Sequence, residues 1–237
     1  MERIEKEAFL AHATLPTFKR KVEKAKEVVR EALAIAPAYV AVSWGKDSVV
    51  MLHLVQSICP NILAIHLKNN VQQLIHDYEF IINSYLNLCP YTVYQEIEVC
   101  VGERVPVSIS NLKLWQSIPL SFIGLRFEEN PNKRGRSIKK YGYIHEYSTG
   151  TRKGSYRCLP LSYWTWMDVW AYTTFYDLPY LKDYDLMPKD RGRTCNVLPT
   201  SFDQKGASTG RIGELRRNSP EAYELMVSIN PLLQLLT

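Results

Sequence analysis

Paired cysteines are missing from this chain. Its five cysteines stand singly at 59, 89, 100, 158 and 195, with no C-x-x-C spacing. An odd, scattered set does not describe a disulfide scaffold and fits a reduced, cytoplasmic protein. Long apolar runs are missing too: no eighteen consecutive apolar residues occur, which excludes a membrane-spanning helix from the expectation. The first residues, Met1-Glu-Arg-Ile-Glu-Lys-Glu7, are charged and do not read as a signal peptide. Low-complexity tracts and internal repeats are absent, and the histidines at 12, 53, 66, 76 and 145 show no metal-ligand spacing. Net charge is only +5, which suits an anionic ligand without indicating nucleic acid.

What remains is an ordinary globular composition, 46% hydrophobic and 22% charged over 237 residues, enough for one substantial α/β core. The periodicities predict a helix over Thr17–Ala36, stopped by Pro37, and a strand over Tyr39–Ser43. They continue with a helix from Asp47 to about Ser57, a buried strand Ile62–Leu67, a helix over 73–88 and a strand Tyr91–Val99. A short helix at 108–117, a buried strand Leu120–Leu125, a short strand within Tyr143–Tyr147 and helices over Thr165–Tyr176 and Pro220–Ile229 complete the pattern. Alternating strands and helices at this rhythm imply right-handed crossovers and a mostly parallel sheet with helices on both faces. One domain spans 1–237, with its core at about 37–180 and a loop-rich extension over 181–237.

The most informative segment is Ser43-Trp-Gly-Lys-Asp-Ser48, between the first strand and the helix after it. A turn of this kind leaves backbone N–H groups aimed at whatever anion sits above the helix N-terminus. Gly45 permits close approach, Ser43 and Ser48 offer hydroxyls, and Lys46 brings a mobile positive charge. The segment is neither the Walker G-x-x-x-x-G-K-[ST] loop nor G-x-G-x-x-G. Its bland alternative is a plain capped helix start, with Asp47 favourable beside the dipole.

Two further blocks follow in order: Gly124-Leu-Arg126 with acidic residues behind it, and Tyr156-Arg-Cys-Leu-Pro-Leu161 leading to Trp164-Thr-Trp-Met-Asp-Val-Trp-Ala-Tyr172. Together with the 43–48 segment they resemble the ATP alpha-hydrolase and phosphoadenosine phosphosulfate (PAPS) reductase superfamily. The patterns matched are its S-G-G-K-D-S pyrophosphate (PP) loop, its G-x-R strand end and its R-x-x-P-L…W-T-x-x-D-V-W-x-Y block, nearest in pattern to the sulfate adenylyltransferase small subunit. The resemblance implies a Rossmann-like adenine nucleotide alpha-hydrolase fold that binds ATP with Mg²⁺.

It assigns nucleotide binding to Ser43, Trp44, Gly45, Lys46, Asp47, Ser48, Gly124 and Arg126, catalysis to Lys46, Arg126 and Arg157, and a metal contact to Asp47. An acceptor, small or macromolecular, and a partner subunit complete the implied set. The reaction implied is ATP pyrophosphatase chemistry on an unknown acceptor. A sulfonucleotide reductase and a non-catalytic nucleotide-binding subunit are the alternatives. The reductase reading lacks the family's C-terminal E-C-G-[IL]-H cysteine, since nothing after Cys195 is a cysteine. The segment after the second strand, His66-Leu-Lys-Asn-Asn70, also departs from the family pattern.

Several residues carry ordinary expectations. Asp168, three residues after Thr165, reads as a helix cap, and Trp164, Trp166, Trp170 and Tyr172 read as packing aromatics. The basic stretch with Lys133, Arg134, Arg136, Lys139, Lys140, Arg152 and Lys153 reads equally as a solvated loop or as a lid over a polyanion.

Overall fold

A computed structural model describes residues 1–69, 77–99, 116–150, 152–186, 213, 216–217, 219–229, 231 and 234. Its centre is a six-stranded sheet formed by β1 (Ala38–Val42), β2 (Leu63–Asn69), β3 (Val93–Val99), β4 (Leu120–Ile123), β5 (Ile144–Glu146) and β6 (Tyr156–Cys158), in the order 3-2-1-4-6-5. All pairs are parallel except the edge pair β5–β6. The mostly parallel α/β architecture expected from the sequence is thus present. The strand β6 is new. Three residues flanked by turns give no readable alternation, and β6 exists because it pairs in register with β4, Phe122 opposite Cys158.

The helices are α1 (Arg3–Thr14), α2 (Pro16–Ile35), α3 (Lys46–Gln56), α4 (Tyr78–Leu88), α5 (Arg136–Tyr141), α6 (Trp166–Phe175) and α7 (Pro220–Ile229). Pro16 opens α2 at a position where its missing N–H costs nothing. Phe18, Val22, Ala25, Val29 and Ala32 then form the buried stripe that the periodicity predicts. On the sheet side, Val40, Val42, Ala64, Leu120, Phe122 and Cys158 join α2 and α3 side chains in one core. Strand pleating turns the intervening residues, Tyr39, Ser121 and Arg157, to the other face. The helix expected over 73–88 begins at Tyr78, capped by the Asp77 side chain; residues 70–76 and the helix expected over 108–117 are outside the described residues, save for its last two positions.

α1 has no counterpart in the sequence expectations. Its buried face is only Phe9 and Ala13, too narrow to announce itself as a period. It is held by tertiary contact: the Phe9 ring stacks on Trp170 at 6.0 Å and meets the edge of Trp166 at 6.3 Å. Asp168 locks the same corner. Its carboxylate completes a capping box with Thr165, and it also accepts from Lys21 Nζ at 2.5 Å and lies 2.8 Å from His12 Nε2. The residue is therefore a tie between α6 and the first two helices. Burial would raise its carboxyl pKa, but Lys21, His12 and the Thr165 donors outweigh burial and hold it low. Asp168→Asn keeps a capping oxygen and loses the charge. It should cost about 1.5–3 kcal/mol in urea unfolding, the range for hydrogen bonds to charged groups, whereas a pure capping role would leave stability near that of the parent.

Candidate functional site

The 43–48 loop sits at the carboxyl end of β1, where open parallel sheets place their ligands. Gly45 is the N-cap of α3, at an ordinary φ of −69°. The Ser48 hydroxyl ties the turn together: it donates to the Gly45 carbonyl at 2.9 Å and accepts from Ser43 N–H at 3.2 Å. The first amide of the helix, Lys46 N–H, points out of the turn and donates to the Tyr184 hydroxyl at 3.4 Å. An oxygen acceptor thus stands where an anion on a helix N-terminus would stand. Tyr184 lies in a 3₁₀ turn, Lys182–Leu186, inside the stretch expected to be a loop-rich extension. No sequence signal marked it.

Trp44 does not face outward. Its backbone adopts φ +57°, a region that favours glycine, and its fully buried indole meets Tyr85, Tyr94 and His66 edge-on at 5.5 to 6.4 Å. Only its backbone belongs to the cradle. The family's glycine at this place is explained by that positive φ. Gly124 serves the same turn from below: a Cβ there would lie 2.7 Å from the Asp47 carbonyl oxygen. It admits the loop's own backbone to the end of β4, at the glycine that the resemblance assigns to nucleotide binding.

Lys46, Asp47 and Arg126 converge, but on one another. Asp47 takes Lys46 Nζ at 2.7 Å on one carboxylate oxygen and Arg126 Nε on the other. Arg126 Nη1 also reaches Glu128 at 2.6 Å, and Glu128 in turn accepts from Trp166 N–H. Lys46 and Arg126 are each 1% exposed. Burial pushes the Asp47 carboxyl upward, but the two cations beside it prevail and keep it below the usual carboxylate range. Arg126 is accordingly an internal clamp on the loop, its guanidinium held by carboxylates where the resemblance assigns it to nucleotide binding and catalysis. Both Asp47 oxygens are engaged by cations, so a magnesium ion does not fit on this carboxylate as the structure arranges it. Among the described residues no group of His, Cys, Asp and Glu could hold a metal ion.

Arg157 is not brought to this cluster. It lies on β6 opposite Ser121, on the sheet face turned away from α3, and its Nη2 is 3.4 Å from His145 Nδ1. The three-residue strand β6 inside this sequence block decides which way the arginine points. Its neighbour Cys158 points into the core, fully buried, and burial pushes its thiol well above the ordinary cysteine range. Such a thiol is not a nucleophile at neutral pH. Cys100 and Cys195 are outside the described residues.

Towards the carboxyl ends of β2 and β3 lies a cleft of about 630 Å³ lined by His66, Lys68, Asp77, Tyr78, Glu79, Ile82, Asn83 and Glu96. His66 Nδ1 lies 3.0 Å from the Val42 carbonyl oxygen, which joins the cleft to the strand that feeds the loop. Burial lowers the imidazole pKa and favours its neutral form.

A mostly parallel α/β sheet with an amide-lined turn at the end of its first strand has the form that the resemblance read in the sequence implies. No family model matches the chain. Adenosine 5'-phosphosulfate reductases of Bacillus cereus (strain AH820) and Bacillus thuringiensis (strain Al Hakam) are each 27% identical to it over 165 residues, covering 62% of this chain and 67% of the relative. The loop, the fold and these relatives support the resemblance to the PAPS reductase/PP-loop superfamily. A solved structure, the U34-tRNA thiolase NcsA from Methanococcus maripaludis with its [4Fe-4S] cluster, has a TM-score of 0.49 and 17% identity, covering 91% of this chain and 80% of that one. A likeness at that level says nothing of the reaction.

Proposed function

We propose that this protein is an ATP pyrophosphatase that adenylates an acceptor. The observation that supports it is the Lys46 amide at the start of α3, presented to an oxygen acceptor in a turn shaped by Ser43, Gly45 and Ser48. In this reading the β- and γ-phosphates of ATP replace the Tyr184 hydroxyl on that amide. Lys46 leaves Asp47 for the phosphates, and Arg126 alone then holds Asp47. An acceptor oxygen attacks the α-phosphorus and the bond to the bridging oxygen breaks. Pyrophosphate departs on the charge the cradle already neutralises. The neighbouring cleft at His66 is roomy enough for the nucleoside. Magnesium would travel with the phosphates.

The reductase reading stays open as a second possibility, because the curated relatives are named adenosine 5'-phosphosulfate reductases. It requires a thiolate, and Cys158 is unsuited to supply one.

The decisive experiment gives the protein ATP with magnesium in one arm and adenosine 5'-phosphosulfate with a dithiol in the other. Calorimetry should show ATP binding that Lys46→Met weakens by about 1.5–3 kcal/mol, the range for a hydrogen bond to a charged group. Methionine keeps the apolar stem, and thermal melts report whether the variant folds. Pyrophosphate release should appear with a suitable acceptor and survive Cys158→Ala. Sulfite release from the sulfonucleotide, without pyrophosphate from ATP, would replace this function by the reductase one.

A further inference from the structure

The chain's positive charge is concentrated in one stretch. Residues 131–157 contain eight lysines and arginines against a single carboxylate, Glu146, so the remainder of the chain is net negative. The structure shows what becomes of those cations. His145 and Tyr147, two residues apart at the β5 edge, project to one side and stack at 4.7 Å. Tyr141, from the end of α5, lies flat on His145 at 3.8 Å with 4° between the planes.

The column of rings is capped by charge at both ends. Lys140 Nζ lies 4.8 Å from the Tyr141 centroid, and the Arg152 guanidinium 4.4 Å from that of Tyr147. Arg157 stands 5.7 Å from the same ring, and its buried Nε has no hydrogen-bond partner among the described residues. A buried guanidinium donor without an acceptor is costly to leave unmade. No carboxylate pairs with Lys139, Lys140, Lys153 or Arg157 among the described residues. The cations therefore crowd one another: the His145 imidazole pKa is lowered first by burial and then by Arg157, Arg152 and Lys140.

We propose that this edge of the sheet binds a single-stranded polynucleotide. Unpaired cations spaced along a surface recognise phosphodiesters, and exposed rings among them recognise bases; a duplex keeps its base faces stacked inside and cannot use the rings. Tyr141 is 41% exposed, and the exposed Lys140 holds its ammonium over the ring. A base takes the place of that ammonium on the ring, and the lysine moves to the adjoining phosphate. Arg157, half-buried behind the rings, adds its positive charge to the phosphate track. The stack is on the sheet face opposite α3, so the proposal does not depend on the 43–48 loop and stands or falls separately from it.

Fluorescence anisotropy of the full chain with labelled twelve-nucleotide RNA and DNA single strands tests this, with the matching duplex and inorganic polyphosphate as competitors. Single strands should bind in preference to both. Their log affinity should fall linearly with log salt, by about 0.7 per phosphate neutralised. Tyr141→Ala should weaken binding about fivefold or more at an unchanged salt slope, as loss of one base stack requires. Lys139→Gln with Lys140→Gln should flatten the slope instead. All three side chains are at the surface, and melts will confirm folding. The stronger of the two single strands identifies the sugar. No binding at low salt, equal competition by duplex or polyphosphate, or a Tyr141→Ala variant that binds like the parent would each overturn the proposal.

Discussion

Asp47→Ala should lower the unfolding free energy by about 3–5 kcal/mol, the cost of leaving a buried ion pair half made. The carboxylate is the shared partner of Lys46 and Arg126, two side chains with 1% or less of their surface exposed. Removing it leaves two cations side by side in the interior, with Glu128 and Glu129 near Arg126 alone among the described residues. Adding Arg126→Met should recover much of the loss, since replacing a buried network by apolar groups of similar size is often close to neutral. Urea unfolding of the two single variants and the double variant forms the cycle. A single-variant loss below about 1 kcal/mol would mean that the pair is solvated in solution.

The same pair fixes an acid response. The folded pKa of Asp47 lies below its ordinary 3.8, so its stabilisation is complete above that value and is lost as pH falls through the lower folded one. Asp168 acts in the same direction and the same window. Stability should therefore drop below about pH 4, less steeply in Asp168→Asn than in the parent.

The second large effect belongs to Gly124. Its φ is unremarkable, but an added Cβ would meet the Asp47 carbonyl oxygen at 2.7 Å, its carbon at 2.9 Å and Ser48 N at 3.1 Å. These are backbone atoms of the cradle and cannot swing aside as a side chain would. Gly124→Ala should destabilise by about 1–3 kcal/mol through overpacking. It should also weaken ATP by about tenfold or more, because the loop must shift to make room; that loss corresponds to about 1.4 kcal/mol. Gly45→Ala is the instructive contrast. At φ −69°, with the Tyr184 hydroxyl 3.4 Å and the Ser43 hydroxyl 3.7 Å away, it should fold almost as the parent does. Paired melts and calorimetric titrations separate the two effects. Similar behaviour of both alanine variants would show that the loop moves freely relative to β4.

What could be read in the sequence followed the range of the interactions. The strand–turn–helix around Ser43–Ser48 is encoded locally, by β-branched residues, one glycine and a helix start, and it is where the sequence puts it. Arg126 and the acidic residues behind it are legible in the sequence at the end of β4. That these acids would turn the arginine inward depends on Asp47, 79 residues away along the chain. Arg157 was lost to a strand three residues long, whose orientation is set wholly by pairing with β4. Tyr184 and α1 had no local signature, because each is held by aromatic contacts from α6.

Trp44 gives the cradle a property that a glycine in its place would not. Its backbone forms the turn while its indole is wedged among three rings beneath the sheet's end, so the peptide cannot rotate without dislodging a large side chain from the interior. A glycine-rich turn samples many conformations and must be ordered by its ligand; this one is ordered by the fold. The strain of a left-handed tryptophan, about 1–3 kcal/mol, is met during folding. Less conformational freedom then remains to be surrendered when an anion arrives.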